Sequence, residues 1–249
     1  MWRAVGGATI MALASALAVS GCADDGPVDP RAGPAERIDI YPISSGQVTT
    51  DPLAATVAIR VTACRPVVER GVGVMVSPGR VLTAAHVVAG ATSIRVLVPG
   101  ELAVDAAVVA FDPVEDLAVL EVPVGTVPHL VLATDPPTGV FEAEVVLFRQ
   151  DRAVVEHVEV LRRVKINTDD IYRGDPVSRP GYEIRAGILP GDSGAAVVRD
   201  GEVVAVVWSR SRITDGRAWA IDPIRGGAEI RRQLASRRIP DAIDLDRCS

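Results

Sequence analysis

Aromatic residues are scarce: Trp, Tyr and Phe together make up 4% of the 249 residues. A core built from this chain must be filled mostly by Ala and Val. Lysine is almost missing, Lys165 being the only one, so nearly every base is Arg; no function follows from that bias. No basic patch appears in the linear sequence and the formal charge is −6, which argues against nucleic acid as a partner. The apolar run at residues 8–19 is too short to span a bilayer as a permanent helix. No internal repeat is evident. No metal and no cofactor are expected.

Apolar residues make up 48% and charged residues 23%, enough for a packed core in one large all-β domain or two average ones. The first 21 residues read as a signal: Arg3 supplies the positive start, the apolar run follows, and Val19-Ser20-Gly21-Cys22 ends it. Those four residues resemble a bacterial lipobox, which makes Cys22 the expected lipidation site, with two or more acyl chains holding the protein on the outer side of the cytoplasmic membrane. The alternative is an ordinary cleaved signal, ending after Ala16-Leu17-Ala18. Residues 22–50 then form a tether rich in Pro, Gly and Asp. Of the three cysteines, Cys64 and Cys248 remain as an even pair in an oxidising compartment, either bonded or as two free thiols.

From residue 54 onward the chain reads as many short strands, at 56–63, 93–98, 102–111, 117–122, 143–148, 154–164, 195–198 and 203–208. Asp200-Gly201 between apolar runs is a hairpin signal, because both turn positions need positive φ, and Asp215-Gly216 repeats it. Pro136-Pro137-Thr138-Gly139 marks a break between two halves near 135–140. One helix is expected, at 223–237, with Ile230 and Leu234 one turn apart. The pattern fits a double barrel or a sandwich and does not choose between them.

Three stretches carry chemistry. Val81-Leu82-Thr83-Ala84-Ala85-His86 comes first, Asp116-Leu117-Ala118-Val119-Leu120 second, and Gly191-Asp192-Ser193-Gly194 third. The order His, Asp, Ser distinguishes this set from other Ser-His-Asp arrangements. A serine hydroxyl is a weak nucleophile near neutral pH and needs a base. His86 would take the Ser193 proton, Asp116 would fix the imidazole tautomer, and the N–H groups of Gly191 and Ser193 would form an oxyanion hole. His129 and His157 read as ordinary core or surface residues.

GVGVMVSPGRVLTAAHVVAG at 71–90 resembles the trypsin-like serine proteases broadly. With FDPVEDLAVLEVP at 111–123 and DIYRGDPVSRPGYEIRAGILPGDSG at 170–194, the resemblance is strongest to the actinobacterial periplasmic proteases of the MarP type, relatives of the HtrA group. It implies an all-β fold: two antiparallel barrels of the chymotrypsin type over residues 51–249 with a C-terminal helix and a cleft between the barrels. It also implies endopeptidase activity on exported or envelope proteins and peptides. In such relatives a bond ties positions similar to Cys64 and Cys248, which implies that disulfide here. A loop of nearly the whole domain would gain about 5 kcal/mol in chain-entropy terms.

The departures are specific. The relatives carry a multi-span membrane domain ahead of the protease, where this chain has a lipobox; no PDZ-like domain follows Ser249, so HtrA-style regulation is not expected. GVGV replaces the usual GSGF, and Ala195-Ala196 replaces Gly-Pro after the nucleophile. Asp192 stands where trypsin-like enzymes pair an acid with a freed N-terminus; either an internal arginine serves here or nothing does. The primary specificity pocket should have Gly187 at its base, six residues before Ser193, with a wall from Trp208 and Arg210. A pocket without a carboxylate there favours uncharged, apolar residues before the scissile bond. Ala195-Ala196 also keeps open the rival reading, an inactive relative acting as a peptide-binding module.

Overall fold

The computed structural model describes residues 46–63, 68–98, 103–124, 126–150, 152–236 and 243–245. The signal segment, Cys22, the tether up to residue 45, Cys64 and Cys248 lie outside the described residues.

The elements in chain order are α1 (Pro52–Ala55), β1 (Thr56–Ala63), β2 (Val68–Ser77), β3 (Arg80–Thr83), α2 (Ala85–Val88), β4 (Ala91–Leu97), β5 (Val104–Asp105), β6 (Ala107–Asp112) and β7 (Leu117–Glu121), followed by β8 (Val131–Leu132), β9 (Phe141–Arg149), β10 (Arg152–Asp169), β11 (Pro176–Arg185), β12 (Ala196–Arg199), β13 (Glu202–Arg210), β14 (Arg217–Ile221) and α3 (Ala228–Ala235).

They form two curled sheets. The first has the order β5-β4-β1-β2-β3-β7-β6; the second has the order β12-β9-β10-β11-β14-β13-β8, and an added β12–β13 pairing closes it. All strand pairs are antiparallel except β8 on β13. In the first sheet the Ala106 N–H donates to Ile94 O over 3.0 Å, bringing the β6 end back toward β4. This is the expected pair of barrels. In β1, Val57, Ile59 and Val61 point inward while Arg60 and Thr62 face solvent, the period of 2 that a half-buried strand requires. The cores are mostly Val, Ala, Leu and Ile, as the lack of aromatics dictates.

The structure differs from the sequence reading in several places: β2, β11 and β14 match no expected strand, and β10 runs on to Asp169. The 102–111 segment is two strands, β5 and β6. The chain joins the second sheet at β8, ahead of Pro136, and Leu130 is still bonded to Met75 of β2 (2.9 Å). The terminal helix begins at Ala228. Residues 223–225 instead form a turn in which Asp222 Oδ1 accepts the N–H groups of Ile224 (2.9 Å) and Arg225 (3.1 Å), and Gly226-Gly227 delays the helix. That helix buries Ile230 on the side of β6 and β7. Asp200 (φ 53) and Gly201 (φ 78) make the expected two-residue hairpin, whereas in the longer Asp215-Gly216 turn only Gly216 has positive φ.

Candidate active site

The end of β3 and the single turn of α2 place His86. Ala85, Val87 and Val88 are buried, so the turn is fixed by packing and the imidazole faces the cleft. Asp116, in the β6–β7 loop, holds that turn from below. Its carbonyl accepts the Ala85 N–H (3.1 Å) and its Oδ1 the His86 N–H (2.8 Å). Its Oδ2 lies 2.9 Å from His86 Nδ1. An ionised carboxylate only accepts, so Nδ1 carries the proton and Nε2 is left as the basic nitrogen.

Asp116 is almost fully buried and sits in the left-handed region at φ 57. Two residues of the second sheet hold it there. Trp208 of β13 donates its indole N–H to Asp116 Oδ2 over 2.8 Å. Arg179 of β11 is buried, with Nη1 3.6 Å from the same oxygen. Arg179 also donates through Nε to Val114 O, and through Nη2 to Pro113 O (3.2 Å) and Asp169 O (3.4 Å). Its guanidinium lies 5.6 Å from the Trp208 ring centre. Nearly every donor of the buried cation is thereby used, as such burial requires. Burial pushes the Asp116 carboxyl up, but hydrogen bonds from His86 and the charges of His86 and Arg179 outweigh it. The group is held below the usual aspartate value.

Ser193 stands on a turn stapled between the barrels. Its carbonyl accepts the Val72 N–H of β2 (2.9 Å), and the next N–H, Gly194, donates to Val207 O of β13 (2.9 Å). Gly194 has φ 89, and a Cβ there would overlap Val72 O and Thr83 Oγ1, so only glycine fits. The Asp192 N–H is used within the turn by Leu189 O (3.1 Å). Among the described residues no acceptor engages the N–H of Gly191 or Ser193; these are the two amides expected to receive an oxyanion. Ser193 Oγ donates to Trp208 O at 3.4 Å, not to His86, and both side chains face one cavity. Long catalytic hydrogen bonds are common before substrate arrives. Ala195 and Ala196 are buried; Ala195 O accepts the Val207 N–H (2.7 Å) and Ala196 starts β12.

The partner of Asp192 is an internal arginine. Arg149, at the end of β9, donates Nη1 to Asp192 Oδ1 over 2.7 Å and Nη2 to Gly187 O over 3.1 Å. Asp192 Oδ2 accepts the Leu189 N–H at 2.7 Å. One buried carboxylate thus fixes the loop that leads into Gly191.

The cavity beside Ser193 holds about 310 Å³ and is lined by His86, Ile188, Leu189, Pro190, Ser193, Trp208, Ser209, Arg210 and Arg212. Trp208 and Arg210 line it, as do Ile188 and Leu189; Gly187 is not among its lining residues, and its carbonyl accepts from Arg149 Nη2. No carboxylate lines this cavity. His129 is buried away from the cleft, beside Val48, and the His157 side chain is exposed, with Nδ1 3.9 Å from Glu144. The sequence reading assigned no role to Arg179 or Arg149. Arg179 lies inside the 170–194 stretch already singled out, but nothing in its neighbours marks it as buried. Arg149 follows directly on the apolar strand expected at 143–148, the one local sign that it could reach inward.

The family described as "Trypsin-like peptidase domain" matches residues 71–206. "Serine protease Rv3671c" of Mycobacterium tuberculosis is 35% identical over 189 residues, which is 73% of this chain and 45% of that protein; the chain spans under half the length of that relative. The structure of the Rv3671c protease in its active form superposes with a TM-score of 0.71 at 29% identity, over 87% of this chain and 98% of the other. The HtrA-type protease AlgW bound to a tripeptide, at 23% identity and a TM-score of 0.61 over 73% of this chain and 60% of the other, shares the fold. The chain therefore belongs to the trypsin-like serine proteases, in the two-barrel fold its motifs implied.

Proposed function

We propose that this protein is an endopeptidase whose nucleophile is Ser193, with His86 as general base and Asp116 as the group that orients it. The observation that carries this reading is the two-point grip of Asp116 on His86 through the backbone N–H (2.8 Å) and Nδ1 (2.9 Å). It leaves Nε2 facing the cavity that Ser193 shares.

Rotation of the Ser193 hydroxyl off the Trp208 carbonyl brings it to His86. The oxygen attacks the peptide carbonyl carbon while Nε2 takes the proton. The carbonyl oxygen gains the charge and is met by the N–H groups of Gly191 and Ser193. Asp116 offsets the imidazolium charge. Collapse of the adduct breaks the C–N bond, and His86 returns the proton to the leaving amine. Water, deprotonated by the same nitrogen, then releases the acyl group and regenerates Ser193.

The cavity next to Ser193 is walled by Ile188, Leu189 and Trp208 and holds Arg210 and Arg212 but no carboxylate. An arginine or lysine before the scissile bond would be desolvated beside like charge, so uncharged apolar residues are preferred there. The substrates are exported or envelope proteins and peptides, and the enzyme is held on the outer side of the cytoplasmic membrane by lipid on Cys22, with a Cys64–Cys248 disulfide. The lipobox and the even remaining cysteine pair support that placement. Ala195 and Ala196 lend no support to a binding-only role, since both sit in regular hydrogen-bonded structure.

The test is labelling with a fluorophosphonate followed by peptide turnover. Wild-type protein is labelled and cleaves; Ser193→Ala does neither, and His86→Ala loses several orders of magnitude in kcat. Unchanged proteolysis by folded Ser193→Ala protein would sink the assignment.

A further inference from the structure

A row of three arginines crosses the first barrel. Arg60 of β1 is the register partner of Arg70 on β2 and of Arg95 on β4, and all three are exposed. Arg95, at the outer end of the row, lies 3.7 Å from Asp105 and donates to Ala103 O over 2.8 Å. The row ends at the reaction centre: Arg70 Cβ lies 3.8 Å from where a side chain on Gly191 would begin.

Arg60 and Arg70 line a cavity of about 400 Å³, whose apolar walls include Ile59, Leu97, Val98 and Phe148 and whose inner edge is Leu189, Pro190 and Gly191; Arg149 and Asp192, paired with each other at 2.7 Å, also line it. It lies on the opposite flank of that loop from the cavity that holds Ser193, Trp208 and Arg210, and the two share Leu189 and Pro190. A peptide whose carbonyl oxygen rests on the Gly191 and Ser193 amides has its acyl part on one flank of this loop and its leaving part on the other. The acyl part follows Trp208 and Arg210. The leaving part passes the Arg70 flank.

We propose that the Arg60–Arg70 cavity binds a carboxylate on the leaving-group side of the substrate, within the first three residues after the scissile bond. This makes Arg60 and Arg70 specificity-determining residues and acidic segments the favoured leaving groups. The proposal rests on Ser193 being the nucleophile. Apolar walls beside exposed guanidinium groups suit an acidic side chain, whose carbon stem packs while its carboxylate pairs. The terminal carboxylate of a short leaving peptide has the same chemistry.

The experiment uses matched peptides with Ala or Glu at each of the three positions after the scissile bond, each ending in an amide or a free acid. In the amide series, Glu at the preferred position raises kcat/KM about fivefold over Ala at low salt, an ion-pair effect of partly exposed groups. The gain shrinks as the screening length falls from about 10 Å at 0.1 M to about 3 Å at 1 M salt. A gain confined to free-acid peptides assigns the cavity to a chain terminus and upholds its carboxylate chemistry. Arg60→Glu with Arg70→Glu inverts the Glu-to-Ala ratio, and the salt series on wild type needs no variant. Equal or lower kcat/KM for the carboxylate at every position, with either ending, overturns the proposal. If the wild type cleaves none of the peptides, the nucleophile assignment fails instead. Calorimetric binding of the same peptides to Ser193→Ala protein then tests the cavity alone: tighter binding of the acidic peptide upholds it, and equal binding rejects it.

Discussion

Trp208 of the second barrel and Asp116 of the first are joined by an indole N–H donated over 2.8 Å to a buried carboxylate oxygen, the same oxygen that faces His86 Nδ1. The bond joins the two barrels, so the setting of the His86 imidazole depends on a residue that also lines the cavity beside Ser193. Trp208→Phe keeps most of the apolar bulk and removes the donor. A lost hydrogen bond to a charged group is worth about 1.5–3 kcal/mol, so kcat should fall about 10- to 100-fold, with circular dichroism unchanged. Steady-state kinetics reads this, and an unchanged kcat would remove Trp208 from the catalytic network.

The partly buried Arg149 and the buried Asp192 form an ion pair at 2.7 Å. Arg149→Met leaves the Asp192 carboxylate buried without its cation, which should lower stability by about 3 kcal/mol. Gly191 should lose its fixed position, so fluorophosphonate labelling should slow as well. Adding Asp192→Asn to Arg149→Met should recover part of the stability, because the stranded charge is gone, while labelling stays slow. Denaturant melts and labelling rates on the single and double variants check both halves. A single variant as stable as wild type would contradict the argument.

Gly194→Ala places a methyl group against Val72 O and Thr83 Oγ1 at a backbone φ of 89. Relief requires moving the Ser193 turn away from the first barrel. The expected result is a loss of at least about 2 kcal/mol in stability and of nearly all turnover. Ala195→Gly, one residue on and without such a clash, is the comparison; equal effects of the two changes would refute the packing argument.

Asp222 is buried, its Oδ2 accepts no hydrogen bond among the described residues and lies 3.9 Å from Arg225 Nε, and its pKa is raised chiefly by burial. A raised carboxyl favours the folded state when protonated. Its contribution is fully present below its unfolded pKa and is lost as pH rises through the folded value. Asp222→Asn keeps an oxygen to accept the Ile224 and Arg225 N–H groups and carries no charge. It should raise Tm by about 2–4 °C at pH 7–8, and the gain should vanish in acid. Asp116 behaves oppositely: its carboxyl is depressed, so its stabilisation is present at neutral pH and is lost as pH falls through the folded pKa. Thermal melts from pH 3 to 8 on wild type and Asp222→Asn separate the two.

The three chemical stretches were legible because their residues are constrained locally. A histidine on one helical turn after a buried strand, and a serine flanked by obligatory glycines, carry their geometry in a few adjacent letters. The strands that alternate cleanly, such as β1, were legible for the same reason. β11 was not, because Pro176, Pro180 and Gly181 interrupt it. Pro180 is tolerated where β11 has no β14 partner, and Gly181 is needed because a Cβ would overlap Ala220 O. Arg179 and Arg149 were invisible as site residues, since their roles arise only when distant strands meet. Gly187, placed by counting along the chain, is not among the residues that line the cavity beside Ser193, and its hydrogen bond from Arg149 could not be read from the sequence.

The turn that bears Ser193 is bonded to Val72 on one side and Val207 on the other, which makes it a seam more than a part of either sheet. Hydrogen exchange at the Val72 and Gly194 amides should accordingly report the opening of that seam, at a lower free energy than the amides of the β1–β2 ladder. Inactivation by mild denaturant would then run ahead of the loss of β-sheet signal, and diluting the denaturant would restore activity at the speed of a local closure.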